Sequence, residues 1–576
     1  NILKGQAASA LYGMRASNGV IIITTKSGKG AAKGKPQISF NSNATFDDLS
    51  TKPDLQTTYA QGSGGSYSPN ASTSWGPLIT ELPNSPTYGG NTVNDFTDED
   101  GMQEGMYYVA QRAKAGLNPW VKPQVYDNVG DFFRTGATFN NSFNIAQAFD
   151  KGNYSVSLGN TNANGVVPST GYNRYNAKLN AELKISDHWT TGFSGNFVNS
   201  KIRKQSSAND GVVATVYPAP ASYDLAGIPS FIDGDPYTQN TYRSTSGFDG
   251  AYWAINNNRF TERNHRFFGN GFAQFSTNMG TDNQNLKIKY QLGTDSYTTD
   301  YEDVFGYGHV NSKGEITQYS YTVNELNSLL TATYNWNINN DLVFDALLGN
   351  EYIHRTRDYK EQYGSNFNFP GFNHISNASV FQSDQEYVRK RTLGTFGSLS
   401  LAYKSMLYLN VTGRTDVIST MPRNNRTFFY PSTSLSWIFT ELPSFESNVL
   451  TYGKLRLSYA QVGQAGDYLD SYYSTPVYGG GFSSGTPIIY PIGSVVAYSP
   501  YTTLYDANLK PQNTNSYEIG TDLTFYDGLL NLSYTFSRQD VRDQIFPVPL
   551  AGSTGYEEII TNGGKIHTNA HEITLA

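Results

Sequence analysis

Cysteine is absent from all 576 residues, which excludes disulfides and thiolate metal sites. Charge is scarce: Asp, Glu, Lys and Arg make up 15% of the chain, against roughly 25% in ordinary globular proteins. The net charge of -7 offers no basic surface, so nucleic acid is not an expected partner. Long apolar runs are missing as well. The longest, Val20 to Ile23, is far short of the roughly 20 residues a membrane helix needs, so a membrane role is open only to a closed barrel of strands. Asn1 to Ala10 carry no secretory signal, and the expectation is a chain whose ends are missing.

Catalytic signatures are also wanting. No His-Glu-x-x-His or Gly-x-Ser-x-Gly pattern occurs, and only seven His are available, so no enzyme is expected. His567 and His571 share a strand face, but four strand residues separate them by about 13 Å, too far for one metal ion. The acidic run Asp95 to Gly101 puts Phe96 at the first ligand position of an EF-hand register. It reads as a solvated loop with at most weak adventitious calcium, and no cofactor is expected. The run Gly479-Gly480-Gly481 lacks the strand-to-helix context of a phosphate loop.

Aromatics, by contrast, reach 14%, with 43 Tyr, and Gly, Asn, Ser and Thr fill much of the remainder, a mix that suits strands and turns. Tyr175, Ala177, Leu179, Ala181, Leu183 and Ile185 alternate with Asn176, Lys178, Asn180, Glu182 and Lys184. Only a β-strand places these sets on opposite faces. Ser398 to Tyr403, Lys454 to Ala460 and Tyr517 to Phe525 repeat the pattern. About sixteen such segments follow Pro36.

The connections between them alternate in length. Long stretches are expected at 47–136, 202–264, 299–321, 360–386, 464–512 and 543–565, and a medium loop at 162–171. Tight turns are expected at Asp150-Lys151-Gly152-Asn153, Ser186 to His188, Asn337 to Asp341, Lys404-Ser405 and Tyr526-Asp527-Gly528, and a short loop at Met279 to Asn285. Antiparallel up-and-down strands put successive connections at opposite ends, so one end carries turns and the other large loops, as in outer-membrane barrels. Phe149, Trp189, Trp336, Tyr403, Tyr408, Trp437, Phe439, Phe525 and Tyr526 gather at the short-turn end. They suit a membrane interface, although each alone also suits the core of a β-sandwich.

The start of the chain differs. Ile2 to Gly13 reads as a short small-residue helix stopped by Gly13, Val20 to Thr25 as a strand, and Gly28 to Gly34 as a polar connector. Leu3-Lys4-Gly5, Ala10-Leu11-Tyr12-Gly13, Arg15-Ala16-Ser17-Asn18-Gly19-Val20-Ile21 and Ile23-Thr24-Thr25-Lys26 resemble the end of the plug domain of SusC-type TonB-dependent transporters of Bacteroidetes outer membranes. Asn153 to Gly159, Gly165 to Pro168, Tyr172 to Asn176, Tyr430 to Trp437, Leu455 to Tyr459 and Tyr517 to Gly520 resemble successive barrel segments of that family, in order.

The resemblance implies an all-β, transmembrane antiparallel up-and-down barrel of about 22 strands when complete, with an α+β plug in its lumen. It implies a TonB-driven import cycle for oligosaccharides or oligopeptides in the Gram-negative outer membrane, with a SusD-like surface lipoprotein as lid. The expected division is plug end and linker over 1–35 and barrel over 36–576, a fragment with roughly the first sixteen strands. TonB would act through a TonB box that these residues do not contain. Leu11, Tyr12, Gly13, Arg15, Asn18 and Gly19 carry the plug motif, and Arg15 could pair with a barrel-wall acid.

Trp75, Trp120, Trp253, Tyr242, Tyr252, Tyr472 and Tyr473 lie in long loops, where rings could stack on sugars or peptide side chains, or pack the loops together. A passive porin-like barrel is the nearest alternative. A secreted β-rich glycan-binding protein would predict repeats of fixed period, which are not seen.

Overall fold

The computed structural model describes residues 2–3, 13, 20–21, 28–31, 33–84, 105–207, 211–243, 247–280, 282–468 and 502–576. Its main sheet runs through sixteen long strands in chain order. They are β1 (Gln37–Asp47), β2 (Gly136–Phe149), β3 (Gly152–Asn164), β4 (Gly171–Lys184), β5 (Trp189–Lys204), β6 (Arg259–Asn278), β7 (Gln284–Phe305) and β8 (Glu315–Asn339), followed by β9 (Leu342–Phe367), β10 (Ala378–Tyr403), β11 (Leu407–Ile418), β12 (Thr427–Ile438), β13 (Leu450–Gln464), β14 (Gln512–Phe525), β15 (Leu530–Pro549) and β16 (Glu558–Leu575). Each pairs antiparallel with the next, and a short strand, Thr503–Tyr505, adds a parallel ladder to β16. The strand order is that of a barrel. The order closes with β16 beside β1, and β1, whose residues are all exposed, is held in a residue-by-residue ladder to β2.

Alternation sorts the two faces as the sequence implies. Tyr175, Leu179 and Leu183 on β4, Phe193 and Phe197 on β5, Leu348 on β9 and Leu399 on β10 are all exposed, forming an apolar outer band. From Trp189 to Phe197 that band spans nine residues of β5, the length a tilted strand needs to cross the hydrocarbon layer. Backbone groups in the paired strands are bonded within the sheet, the condition for a lipid-facing wall. No helix among the described residues is long and apolar enough to cross a membrane. Phe149, Trp189, Tyr403, Trp437 and Tyr526 lie exposed at the short-turn end.

The long and short connections alternate except around β12, where residues 419–426 at the long-loop end are fewer than residues 439–449 at the short-turn end, and three predicted loops are shorter than expected. β7 and β8 continue to Phe305 and from Glu315, β9 and β10 to Phe367 and from Ala378, and β15 and β16 to Pro549 and from Glu558. Thus much of 299–321, 360–386 and 543–565 is strand. β9 has 26 residues, about 85 Å of chain at 3.3 Å per residue, so the wall projects well past the apolar band. There both faces are wet and the apolar alternation that reveals a strand disappears. At the start, Ile2–Leu3 pairs with Val20–Ile21 as strand and is not helical; cross-strand pairing overrides the helix propensity that Leu3 brings. Lys33 bridges Ala148 beside the first tight turn, so the chain enters β1 from the short-turn end.

Candidate functional site in the lumen and its outer cap

Arg414 and Asp416 stand two residues apart on β11 and therefore on one face, the inner one. Both are buried. Arg414 Nε donates to Asp416 Oδ1 at 2.7 Å, and its Nη2 donates to Glu351 Oε2 on β9 at 2.7 Å. Tyr430 on β12 donates its hydroxyl to the other Asp416 oxygen. Asn327 on β8 donates to the free oxygen of Glu351 at 2.9 Å. The cation also lies 5.1 Å from the centre of the Phe396 ring on β10. One guanidinium thereby ties together the inner face of five successive strands.

Gly13, from the segment preceding the barrel, sits on this cation. Its backbone is left-handed at φ +76°, and a Cβ there would lie 3.2 Å from Arg414 Nη2. A residue of the plug-like segment is thus seated against the inner wall, inside a barrel whose outside is apolar. Leu11, Tyr12, Arg15, Asn18 and Gly19 lie outside the described residues. The arginine that meets carboxylates here belongs to the wall, and the signal for it was legible: Arg414-x-Asp416 puts two charges on the lumen side of a strand.

Nearer the long-loop end, the inner face carries tyrosines. Tyr301 and Tyr319 stack with centroids 4.4 Å apart and planes 5° from parallel, and Tyr321 and Tyr359 lie 4.8 Å apart. Lys204 stands 5.2 Å over Tyr301, and Arg357 5.9 Å from the Tyr321 centre. Flat rings flanked by cations and by Glu262 and Glu361 form a platform able to stack on sugar or peptide groups. Tyr301, Tyr319 and Tyr321 fall within the stretch 299–321 that the sequence presents as a long loop, which hides the platform.

Of the aromatic residues singled out in the long loops, three pack the loops together. Trp120, Trp253 and Tyr242 are almost fully buried. Trp120 joins Tyr67, Tyr107, Tyr223 and Tyr242 in one core made from both the β1–β2 and β5–β6 connections. Trp253 Nε1 donates to Pro236 O at 2.8 Å, and Tyr242 OH donates to Thr215 O at 2.8 Å. Tyr252 leans on Phe132 at 5.4 Å. None of the three buried rings leaves a face open to a ligand, since a loop this long must supply its own core. Trp75 differs: it is 70% exposed and lies 6.4 Å from the Tyr59 ring. Tyr472 and Tyr473 lie outside the described residues, as do Asp95 to Gly101 and Gly479 to Gly481.

Buried polar groups lock the two loops into one cap. Gln61 Nε2 donates to Tyr242 O at 2.6 Å, Tyr107 OH to Ser222 O at 2.9 Å, and Asn128 Nδ2 to Pro220 O at 3.0 Å. Burial pushes the hydroxyls of Tyr67, Tyr223 and Tyr242 well above the usual tyrosine range, so they remain neutral. Asp249 joins the cap to the β7–β8 connection: its Oδ2 lies 2.7 Å from His309 Nδ1, and its Oδ1 accepts from Val310 N at 3.1 Å. Burial alone would raise the Asp249 carboxyl, but bonds from His309, Asn258 and Gln239 outweigh it and hold it below its usual range. Among the described residues no group of three or more His, Asp or Glu is placed to hold a metal, and His571 Nδ1 lies 3.0 Å from Tyr534 OH.

Residues 217–570 match the family described as TonB dependent receptor-like, beta-barrel. The chain is 26% identical to the TonB-dependent receptor SusC of Bacteroides thetaiotaomicron over 598 aligned positions, covering all of this chain and 53% of that protein. It is 24% identical to the TonB-dependent receptor P26 of Formosa agariphila, again over all of this chain and 53% of the relative. The chain therefore spans about half the length of the relatives it matches. A solved structure of the RagAB peptide transporter superposes on the whole chain with a TM-score of 0.76 at 18% identity, using 62% of its own chain, a likeness of fold.

Proposed function

Because the chain belongs to the TonB dependent receptor-like β-barrel family, whose members are receptors and not enzymes, we propose that it forms barrel wall and plug end of an active importer in a Gram-negative outer membrane. Residues 1–35 end the plug and lead into the barrel of 36–576. The cargo class is oligosaccharide or oligopeptide. A SusD-like surface lipoprotein closes over the cap, and the TonB complex supplies the work that moves the plug. One observation carries this reading: Gly13 rests on the buried Arg414 cluster inside a barrel with an apolar outer band. A passive pore can also carry charged wall residues, but it keeps its lumen open, so a segment seated on the inner wall favours the plugged reading.

Cargo entering from the loop end meets Trp75 and Tyr59 on the cap, then the Tyr301, Tyr319, Tyr321 and Tyr359 platform on the inner wall. Ring faces bind either cargo class by stacking, so chain chemistry alone does not choose between them. The deciding experiment is growth of a strain lacking the gene on single oligosaccharides and on oligopeptides, with and without a functional TonB complex. The import reading expects loss of growth on one cargo class in both the gene-deleted and the TonB-deficient strain. Uptake that persists without TonB would establish a passive channel instead.

A further inference from the structure

Beyond the lumen, the outer face carries an unusual group of charges just past the apolar band. On β5 the outward residues after Phe197 are Asn199, Lys201 and Arg203, and on β6 those after Phe267 are His265, Arg263, Thr261 and Arg259. Lys201 stands directly opposite Arg263 in the ladder. Like charges in register on one face repel, and a sheet ordinarily avoids them. Arg203 and Arg259 stand close by, so that four cations share this patch. Arg259 is tied to Glu302 at 2.8 Å, and Lys360, further along the same face, to Asp358 at 3.0 Å. The side chains of Lys201, Arg203 and Arg263 have no hydrogen bond or ion pair among the described residues.

Beside them Arg263, Asp300, Glu302, Gln318, Ser320 and Lys360 line an open concavity of about 420 Å³. Lys201 lies four residues beyond Phe197, a rise of roughly 9 Å on a strand tilted near 45°. That is the depth of lipid headgroups, which long Lys and Arg side chains reach readily.

We propose that this patch binds the phosphate-bearing headgroup of a glycolipid in the outer leaflet. Lys201, Arg203 and Arg263 take the phosphate, neutralising the opposed cations. Asp300, Glu302, Gln318 and Ser320 accept or exchange hydrogen bonds with sugar hydroxyls, which explains carboxylates beside an anion site. A plain phospholipid offers the first set of contacts and not the second. The inference rests on the reading that the chain spans an outer membrane with its long loops outside.

The test is native mass spectrometry of the full-length protein in detergent, offered a phosphorylated glycolipid, the same lipid dephosphorylated, and inorganic phosphate. The wild type is expected to retain the phosphorylated lipid, and a Lys201→Gln, Arg263→Gln double variant to retain at least about tenfold less. Both positions face outward from an intact ladder, and unchanged heat-modifiable mobility in SDS gels confirms that the variant barrel is folded. Equal retention of both lipid forms, an unaffected variant, or complete displacement by inorganic phosphate would overturn the proposal. Failure of the wild type to insert into vesicles would remove the membrane reading too, whereas insertion without lipid preference removes this inference alone.

Discussion

Arg414 on β11 reaches Glu351 on β9 at 2.7 Å by passing over β10 at Gly394, where a Cβ would stand 2.1 Å from the guanidinium. The absence of a side chain at Gly394 is therefore what allows two non-adjacent strands to be joined by one ion pair. Removing the cation leaves the buried Asp416 and the half-buried Glu351 as carboxylates without their shared counter-charge. Arg414→Met is expected to destabilise the barrel by about 3–5 kcal/mol. Gly394→Ala, which displaces the guanidinium without deleting it, should cost about 1–3 kcal/mol. Both are read from the temperature at which the full-length barrel loses its heat-modifiable mobility. An Arg414→Met, Glu351→Gln, Asp416→Asn triple variant should recover part of the loss, and no recovery would show that packing, not charge, dominates.

The same cluster seats Gly13, whose φ of +76° excludes most side chains on two counts, backbone strain and the approach of Arg414. Gly13→Val is expected to cost about 1–3 kcal/mol locally and to loosen the plug without unfolding the wall. Planar-bilayer recordings of the full-length protein should then show openings absent from the wild type, while barrel melting stays unchanged. A closed variant would show that Gly13 does not hold the plug.

The Asp249 carboxyl gives the cap a pH dependence whose sign follows from its depressed value. Such a group stabilises the fold above its unfolded value near pH 4, and the contribution is lost as pH falls through the lower folded value. Limited proteolysis should find the β5–β6 connection protected at pH 7 and increasingly cut below about pH 4. Asp249→Asn should expose it already at pH 7, at a cost of about 1–3 kcal/mol, and flatten the profile.

The wall was readable where its two faces meet different solvents. Tyr175 to Ile185 alternate strictly because one set faces lipid and the other the lumen. Around Asp300, Tyr301 and Glu302 that difference vanishes, since outer and inner faces are both polar, and a strand there looks like a loop. Register also lies beyond local pattern: nothing near Arg414 announces that Glu351 lies two strands away. Trp253 and Trp75 occupy loops of similar composition, yet one is buried and the other 70% exposed. Trp253 is closed in by Pro236 and by Gly308 of the β7–β8 connection, and such a contact between distant segments is a long-range property.

That separation makes a direct contrast between rings that hold the cap and rings that face the lumen. Trp253→Ala deletes a fully buried side chain and is expected to cost about 3–5 kcal/mol, opening the cap to protease and lowering uptake of every cargo through misfolding. Tyr301→Ala and Tyr319→Ala each break the 4.4 Å stack while the ladder beneath them persists. They should leave protease resistance and barrel melting unchanged and weaken cargo binding by roughly fivefold to tenfold, the worth of an aromatic contact of about 1 kcal/mol or slightly more. Isothermal titration of the full-length protein with the cargo found by growth tests distinguishes the two. Unchanged affinity in both tyrosine variants would place cargo recognition elsewhere, with Trp75 and Tyr59 on the cap the next rings to remove.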